Sequence, residues 1–424
     1  MRHSGTRARS WTVAVLLVAV VTLVAAACGS SSKKSSSGTS TTGAGAATTA
    51  AAATGTPVNL GYICSCTSPL GSSTAINLPG YRAWVSWANA HGGLNGHQIN
   101  LIVKDDAANP ATSITDVHEL VEQDHVIAIS SVTNFEAGWA QYVAQQKIPV
   151  IGGSTVSPEY YTATGWYSQG QTTDSVPPAV VLGAKKAGAK NFGLIYCSEA
   201  PVCAQLVGVE QQAGQKYGVP LVYKTAVSAT APNYTAECLA AKQAGAEALF
   251  VADAVSVIEG VARDCSKQGY NAKIIAEDGA IANSFNKSPG LTNGFLGIMP
   301  VIPPAGAEST KGIQQMEAAF RQYEPGLLTN PNYGDEAVEG WTTGLLMGAA
   351  AKAGGLGANG AAPTTDQLFT GIYALSNETL GGMAVGLNYH QNAPNPVHCW
   401  FEMGTSNGTW TLPTGLTPQC LPTS

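Results

Sequence analysis

Nine cysteines, Cys28, Cys64, Cys66, Cys197, Cys203, Cys238, Cys265, Cys399 and Cys420, are the side chains with the widest chemical repertoire in this sequence. Cys28 stands apart, after Ala25-Ala26-Ala27 and before Gly29-Ser30. The other eight form an even set, which in an exported chain reads as disulfides. Proximity favours Cys197 with Cys203 and Cys399 with Cys420, and Cys238 with Cys265 across two predicted helices. Cys64 and Cys66 are left for each other or for a rearranged set. The C-x-C and C-x5-C spacings lack the paired C-x2-C of structural zinc, so no metal site is expected.

Catalytic groupings are sparse. Ser154 lies in Gly152-Gly153-Ser154-Thr155, without the second glycine of a G-x-S-x-G nucleophile elbow. His91 and His97 flank Gly92-Gly93 in a turn, and His118 and His125 bracket a predicted helix end, where surface or capping roles are the simpler reading. Asp105-Asp106 could pair as acid and base, but a strand-to-helix turn explains them equally well. Residues 355–360 match the letters of G-x-G-x-x-G, yet they follow a predicted helix with no strand upstream. There is no phosphate-binding Walker loop. No catalytic set and no cofactor site emerges, and an enzyme is not expected.

The elements that would position these residues alternate in type. Residues 58–63, 98–103, 126–130 and 148–151 read as strands, separated by helical patterns at 75–90, 110–123 and 136–146. The rhythm restarts with helices at 175–187, 204–217, 234–243 and 257–268 and strands at 192–196, 221–225, 248–252 and 273–276. Repeated βα units imply parallel sheets covered on both faces. Gly188, Gly218, Gly245 and Gly269 each follow a predicted helix, where a left-handed cap is wanted. After Pro300 come helices at 311–323, 335–353 and 365–374, then weak strands in a Pro- and Asn-rich tail. Ligands bind beyond the C-terminal ends of parallel strands. The loops that matter are therefore 64–73, 131–135, 152–158, 197–201, 253–256 and 277–283.

The N-terminus predicts export. Arg2, Arg7 and Arg9 precede an uncharged apolar run over 11–27, the layout of a secretory signal. Cys28 directly after small residues resembles a bacterial lipobox, with Ala25 where leucine is usual. Residues 29–57 are almost entirely Gly, Ser, Thr, Ala and Lys, a disordered tether with a reach of roughly 30 Å. The remaining 367 residues (424 minus 57) are too many for one core and predict two lobes. Five of the 21 Lys and Arg precede residue 58, so 16 positive side chains face 27 negative ones in the body, a net of −11. That balance argues against nucleic acid or an anionic surface as partner.

Several stretches together carry a family resemblance: Gly92-Gly93-Leu94-Asn95-Gly96, Ile99-Asn100-Leu101, Asp105-Asp106 and Asn109-Pro110. Ile148-Pro149-Val150-Ile151 leads on into 152–158, and Tyr333-Gly334-Asp335-Glu336-Ala337 runs through to Ala351-Lys352-Ala353-Gly354. Over roughly residues 58–400 the chain resembles the leucine/isoleucine/valine-binding family of periplasmic solute receptors. The resemblance implies a type I periplasmic-binding-protein fold: α/β, two doubly wound parallel-sheet lobes with a hinge and an interlobe cleft. Lobe 1 would comprise 58–174 with 301–391, and lobe 2 would comprise 175–300 with 392–424. It implies the extracytoplasmic substrate-binding component of an ABC importer, with a small-molecule ligand (an amino acid or small carboxylate) and a membrane permease as partners. Thr133, Asn134, Ser154 and Thr155 would hold an α-carboxylate and Asp278 an α-ammonium, with Ser68, Pro69 and Asp253 in neighbouring cleft loops. Where relatives place aromatics in the second lobe, this chain has Pro201 or Val202, and Ala254, which departs from the branched-chain amino-acid pattern. A ligand sensor of the same fold is an alternative. A lipid-anchored hydrolase using Ser154 would lack a base.

The lipobox reading has a direct check. Wild-type mature protein should enter the detergent-rich phase in a two-phase separation, and Cys28→Ser should stay in the aqueous phase; wild type in the aqueous phase would remove the anchor.

Overall fold

The computed structural model describes residues 53–422, except 69–70, 72–73 and 200. The expected signal segment, the lipidation candidate Cys28, the tether up to residue 52 and the cleft candidate Pro69 lie outside the described residues.

Short apolar runs fold as strands, the inner ones buried on both faces and the edge strands, at His97–Asp105 and Leu221–Val227, only partly covered. β1 (Gly55–Cys64) starts three residues before the expected Val58, with Gly55 already opposite His97. It is central to a parallel sheet with β2 (His97–Asp105), β3 (Ile129–Val132), β4 (Val150–Gly153) and β5 (Trp166–Tyr167), in the order β2-β1-β3-β4-β5. The helices between are α1 (Asn77–Ala90), α2 (Pro110–Glu122), α3 (Ala140–Gln146) and α4 (Glu159–Thr162). Asn109 caps α2 by accepting from Ala111 and Thr112 N–H groups, with Pro110 at the first helical position. The expected helix over 136–146 is broken at Trp139, whose φ of −133° ends an opening 3-10 turn. Burial dictates the break: the indole stacks on Trp166 at 5.2 Å and donates to Ser113.

The second sheet repeats the pattern after α5 (Val176–Lys186). It comprises β6 (Phe192–Cys197), β7 (Leu221–Val227), β8 (Ala248–Ala252), β9 (Lys273–Ala276) and β10 (Phe295–Met299), with α6 (Pro201–Tyr217), α7 (Thr235–Gln243) and α8 (Val255–Lys267) between them. The four expected glycine caps all have φ between 60° and 87°. β10 is not anticipated by the sequence reading, because Gly297 interrupts its apolar alternation. Later come α9 (Lys311–Tyr323), α10 (Asp335–Ala353) and α11 (Thr365–Ala374), as expected from their periodicity. The tail is more regular than expected. β11 (Cys399–Ser406) runs antiparallel to β10, and β12 (Thr409–Thr411) pairs with β11. β13 (Pro413–Leu416) follows, then β14 (Gln419–Cys420), also antiparallel to β11. The second sheet is therefore mixed, in the order β12-β11-β10-β9-β8-β6-β7.

α10 returns to the first sheet, where it packs on α1, α11 and β4. Fourteen of its 19 residues are buried, the signature of a helix covered on nearly all sides. Glycine permits the approach to α1: a Cβ on Gly80 would meet the Ala337 carbonyl at 2.2 Å, and one on Gly340 the Asn77 carbonyl at 2.1 Å. The two lobes are joined by three crossings bonded to one another. Gln171 N–H donates to Pro300 O at 3.3 Å, and Thr172 and Val397 exchange backbone and hydroxyl bonds at 2.9 Å. No helix among the described residues is long and apolar enough to cross a membrane.

The structure pairs Cys64 with Cys66, Cys197 with Cys203, Cys238 with Cys265 and Cys399 with Cys420. The third ties α7 to α8, and the fourth pins β14 to β11. Intact mass should rise by about eight hydrogens on full reduction, two for each of these four bonds. Several thiols alkylatable before reduction would contradict the pairing.

Candidate functional site: an acid-walled cleft

The C-terminal ends of both sheets open onto a cavity of about 300 Å³. From the first sheet come Asn134, Glu136 and Ala137 after β3, and Thr155 to Glu159 after β4. Gln171 and Thr173 come from the first crossing. The second sheet contributes Cys203 and Leu206 of α6, Ala252 of β8, and Glu277 and Asp278 after β9. A larger hollow of about 390 Å³ lies beside Cys265 and Asn293, but at the N-terminal ends of β9 and β10, the wrong end of a parallel sheet for a ligand.

Three of the expected ligand residues, Asn134, Thr155 and Asp278, line the cavity. Others point away. Thr133 is 2% exposed and donates to Asp106 at 2.6 Å; Ser154 is 1% exposed and donates to Glu336 at 2.8 Å. Both hydroxyl protons are thus taken by buried carboxyls, and neither faces the cavity. Ser68 is also buried, donating to Ser65 O and accepting from Gly71 N–H. Asp253 closes β8 and accepts from Ala254 N–H at 2.7 Å, outside the cavity wall; burial raises its carboxyl to about 6. Ser154 as a nucleophile would be buried against Glu336, with no histidine beside it.

The sequence reading missed most of the acids. Glu136 is 1% exposed, and burial pushes its carboxyl up to about 8, although the Ser131 hydroxyl donates to it at 2.8 Å and the N–H groups of Thr133 and Glu136 itself also stabilise the anion. Burial also drives Glu277 to about 8, with neighbouring Asp278 adding repulsion. Behind Asp278 stand Glu336 and Glu339 of α10, one oxygen of each of the three lying within 4.8 Å of the others. Asp335 precedes them and accepts from Gly279 N–H at 3.1 Å. Burial first, then mutual repulsion, raises Asp335, Glu336 and Glu339, and burial raises Asp278. Asn77 donates to Glu336 at 2.8 Å and Gln169 to Glu339 at 3.1 Å. Among the described residues no Lys, Arg or His forms an ion pair with any of these acids, and none lines the cavity. In sequence Asp335 and Glu336 look like ordinary first-turn acids of a helix, their only signal being their place within the Tyr333–Ala337 motif, and Glu339 lies beyond both.

These raised acids make stability pH-dependent. Glu136 titrates near 4.5 when unfolded and at about 8 when folded, so the folded state holds its proton longer. Its contribution is complete below pH 4.5 and is lost as pH rises through 8, at up to about 1.4 kcal/mol per pH unit. The thermal midpoint of ligand-free protein should fall from pH 5 to pH 8, and Glu136→Gln should flatten that fall. An equally steep fall in the variant would place the titration elsewhere.

Comparison with known proteins agrees with this architecture. The family model described as periplasmic binding protein matches residues 57–408. A Leu/Ile/Val-binding protein homolog 2 of Brucella abortus is 24% identical over 210 residues, covering 48% of this chain and 56% of that protein, so the match spans little more than half of the relative's length. Among solved structures, a branched chain amino acid ABC transporter from Thermus thermophilus with bound valine superposes with a TM-score of 0.74 at 16% identity, covering 87% of this chain and 98% of that one. A fatty acid ABC transporter substrate-binding protein from Thermomonospora curvata gives 0.69 at 16% identity, covering 86% and 94%. A solute binding protein from R. palustris in complex with benzoate gives 0.67 at 13%, covering 85% and 97%. At such identities the structural likeness speaks for the fold, while the family match spans most of the chain. The chain belongs to the periplasmic binding protein family.

Proposed function

We propose that this protein is the extracytoplasmic substrate-binding component of an ABC importer, capturing a small amine-bearing solute of the amino-acid class and presenting it to a membrane permease. The observation that carries the reading is the cavity between the strand ends, with Asp278 in its wall and Asp278 Oδ1 without a hydrogen-bond partner. A carboxylate oxygen held there by the fold is a natural acceptor for a ligand ammonium. The lobes would be 58–174 with 301–391 and 175–300 with 392–424, closing about the bonded crossings. A lipid on Cys28 would keep the body at the outer face of the cell membrane. Relatives whose names and titles cite Leu/Ile/Val, valine, fatty acid and benzoate support a solute-capturing role without fixing the solute.

The test is a thermal-shift screen of amino acids, amines and small carboxylates, then calorimetric titration of the best binder. Asp278→Asn keeps the shape and a hydrogen-bonding oxygen but removes the charge. It should cost on the order of 1.5–3 kcal/mol, roughly tenfold to a hundredfold in affinity for an amine. Unchanged affinity would take Asp278 out of the site.

A further inference from the structure

Among the polar side chains around the cleft, acceptors outnumber free donors. Thr155 Oγ1 donates to Gln171 O at 2.7 Å, Thr173 Oγ1 donates to Thr155 O at 2.7 Å, and Ser157 Oγ donates to Glu159. The N–H of Thr133 and the Ser131 hydroxyl already serve the Glu136 carboxyl. The turn after β3, where the family resemblance places a ligand carboxylate, is therefore filled by an internal one. Among the side-chain donors described in the wall, the Asn134 amide is not engaged in this way.

The unpartnered atoms are acceptors. Gln171 is 2% exposed; its amide nitrogen donates to Ser175 at 3.1 Å, which fixes the orientation and leaves Oε1 without a partner. Glu210 is fully buried, and neither of its carboxyl oxygens has a partner. It lies on α6 four residues beyond Leu206 and seven beyond Cys203, on the face those residues turn to the cavity. Burial first, and then the charge of Glu277, opposes ionisation of Glu210. Asp278 lies 3.4 Å from Thr155, with Glu339 behind it. The wall thus carries two acid poles, Asp278 backed by Glu339 and Glu277 with Glu210 beyond it, and among the described residues no basic side chain.

We infer that the cleft selects a compact dication, such as a short alkyl diamine or an amino-guanidine, with one cationic group at Asp278 and the other at Glu277. This rests on the solute-capturing reading above and narrows it. A zwitterion would set its carboxylate among acids, whereas a dication makes two charge-assisted pairs and offers donors to Gln171 Oε1.

Calorimetric titration at pH 8 of the disulfide-intact protein tests it with 1,4-diaminobutane, agmatine, butylamine, L-valine, benzoate, octanoate and calcium chloride. The diamine or agmatine should bind at least about tenfold more tightly than butylamine and valine. Glu277→Gln should erase that advantage by weakening the diamine about tenfold more than butylamine, while Asp278→Asn should weaken diamine and monoamine alike. Both replacements relieve a buried carboxyl, and thermal midpoints at or above wild type will show that the variants fold. Tighter binding of valine, benzoate or octanoate overturns the dication and leaves solute capture standing. Tight binding of calcium alone also overturns it, making the acids a metal site. A diamine preference that survives Glu277→Gln overturns the second pole, and silence with every probe overturns both this inference and the reading beneath it.

Discussion

Burying a carboxyl without a cation is costly, and this fold does it repeatedly within one small region. Asp335, Glu336 and Glu339 lie in the first two turns of α10, each 2% exposed or less, and Asp278 meets them from the loop after β9. Isolated ionised groups there would forfeit far more hydration than hydrogen bonds return. The structure offsets the cost with donors from distant parts of the chain: Asn77 from α1, Ser154 after β4 and Gln169 from the first crossing. These donors exist only if α1 and α10 touch backbone to backbone. That is why Gly80 and Gly340 sit at the crossing, where any Cβ would collide with a carbonyl.

The same requirement explains much of the cleft wall. Donating to Glu336 turns Ser154 inward, and donating to Asp106 turns Thr133 inward, so two hydroxyls expected to face a ligand hold the scaffold instead. What faces the cavity is mostly apolar surface, from residues such as Val156, Pro158, Val176 and Leu206, and its polar side chains are chiefly carboxyls and amides the scaffold leaves free. Electrostatic character here follows from which protons are already spent.

Much of the fold was legible because it is written in periodicity. α9, α10 and α11 begin and end where their spacing indicates, and β8 and β9 match residue for residue. Pairing by proximity reaches Cys197–Cys203 and Cys399–Cys420, which span 6 and 21 residues, and the structure resolves the open case of Cys64 and Cys66 by joining them to each other. The misses have physical causes. β3 begins three residues later than its apolar run at Val126, although Ile127 and Ala128 already bond to β1. β10 is hidden by Gly297, and β11 is visible only once β10 exists to pair with it. In the site, strand order located the loops and the family resemblance pointed to Asp278, but side-chain direction did not follow. The partner of Ser154 is 182 residues away and that of Asn77 is 259 away, and no local pattern encodes such pairs.

The position of the acids also bears on motion between the lobes. Asp278 rides on the second sheet, whereas Glu336 and Glu339 ride on the helix packed against the first. Ionised together they repel across the junction, and at short range in a poorly solvated site that repulsion is worth several kcal/mol at an effective dielectric of about 20. With a proton shared between Asp278 and Glu339, the contact becomes a hydrogen bond that draws the sheets together. A positive group in the cleft has the same effect, because it attracts carboxylates from both sides. Whatever neutralises the acids therefore removes a repulsion between the second sheet and the helix packed on the first.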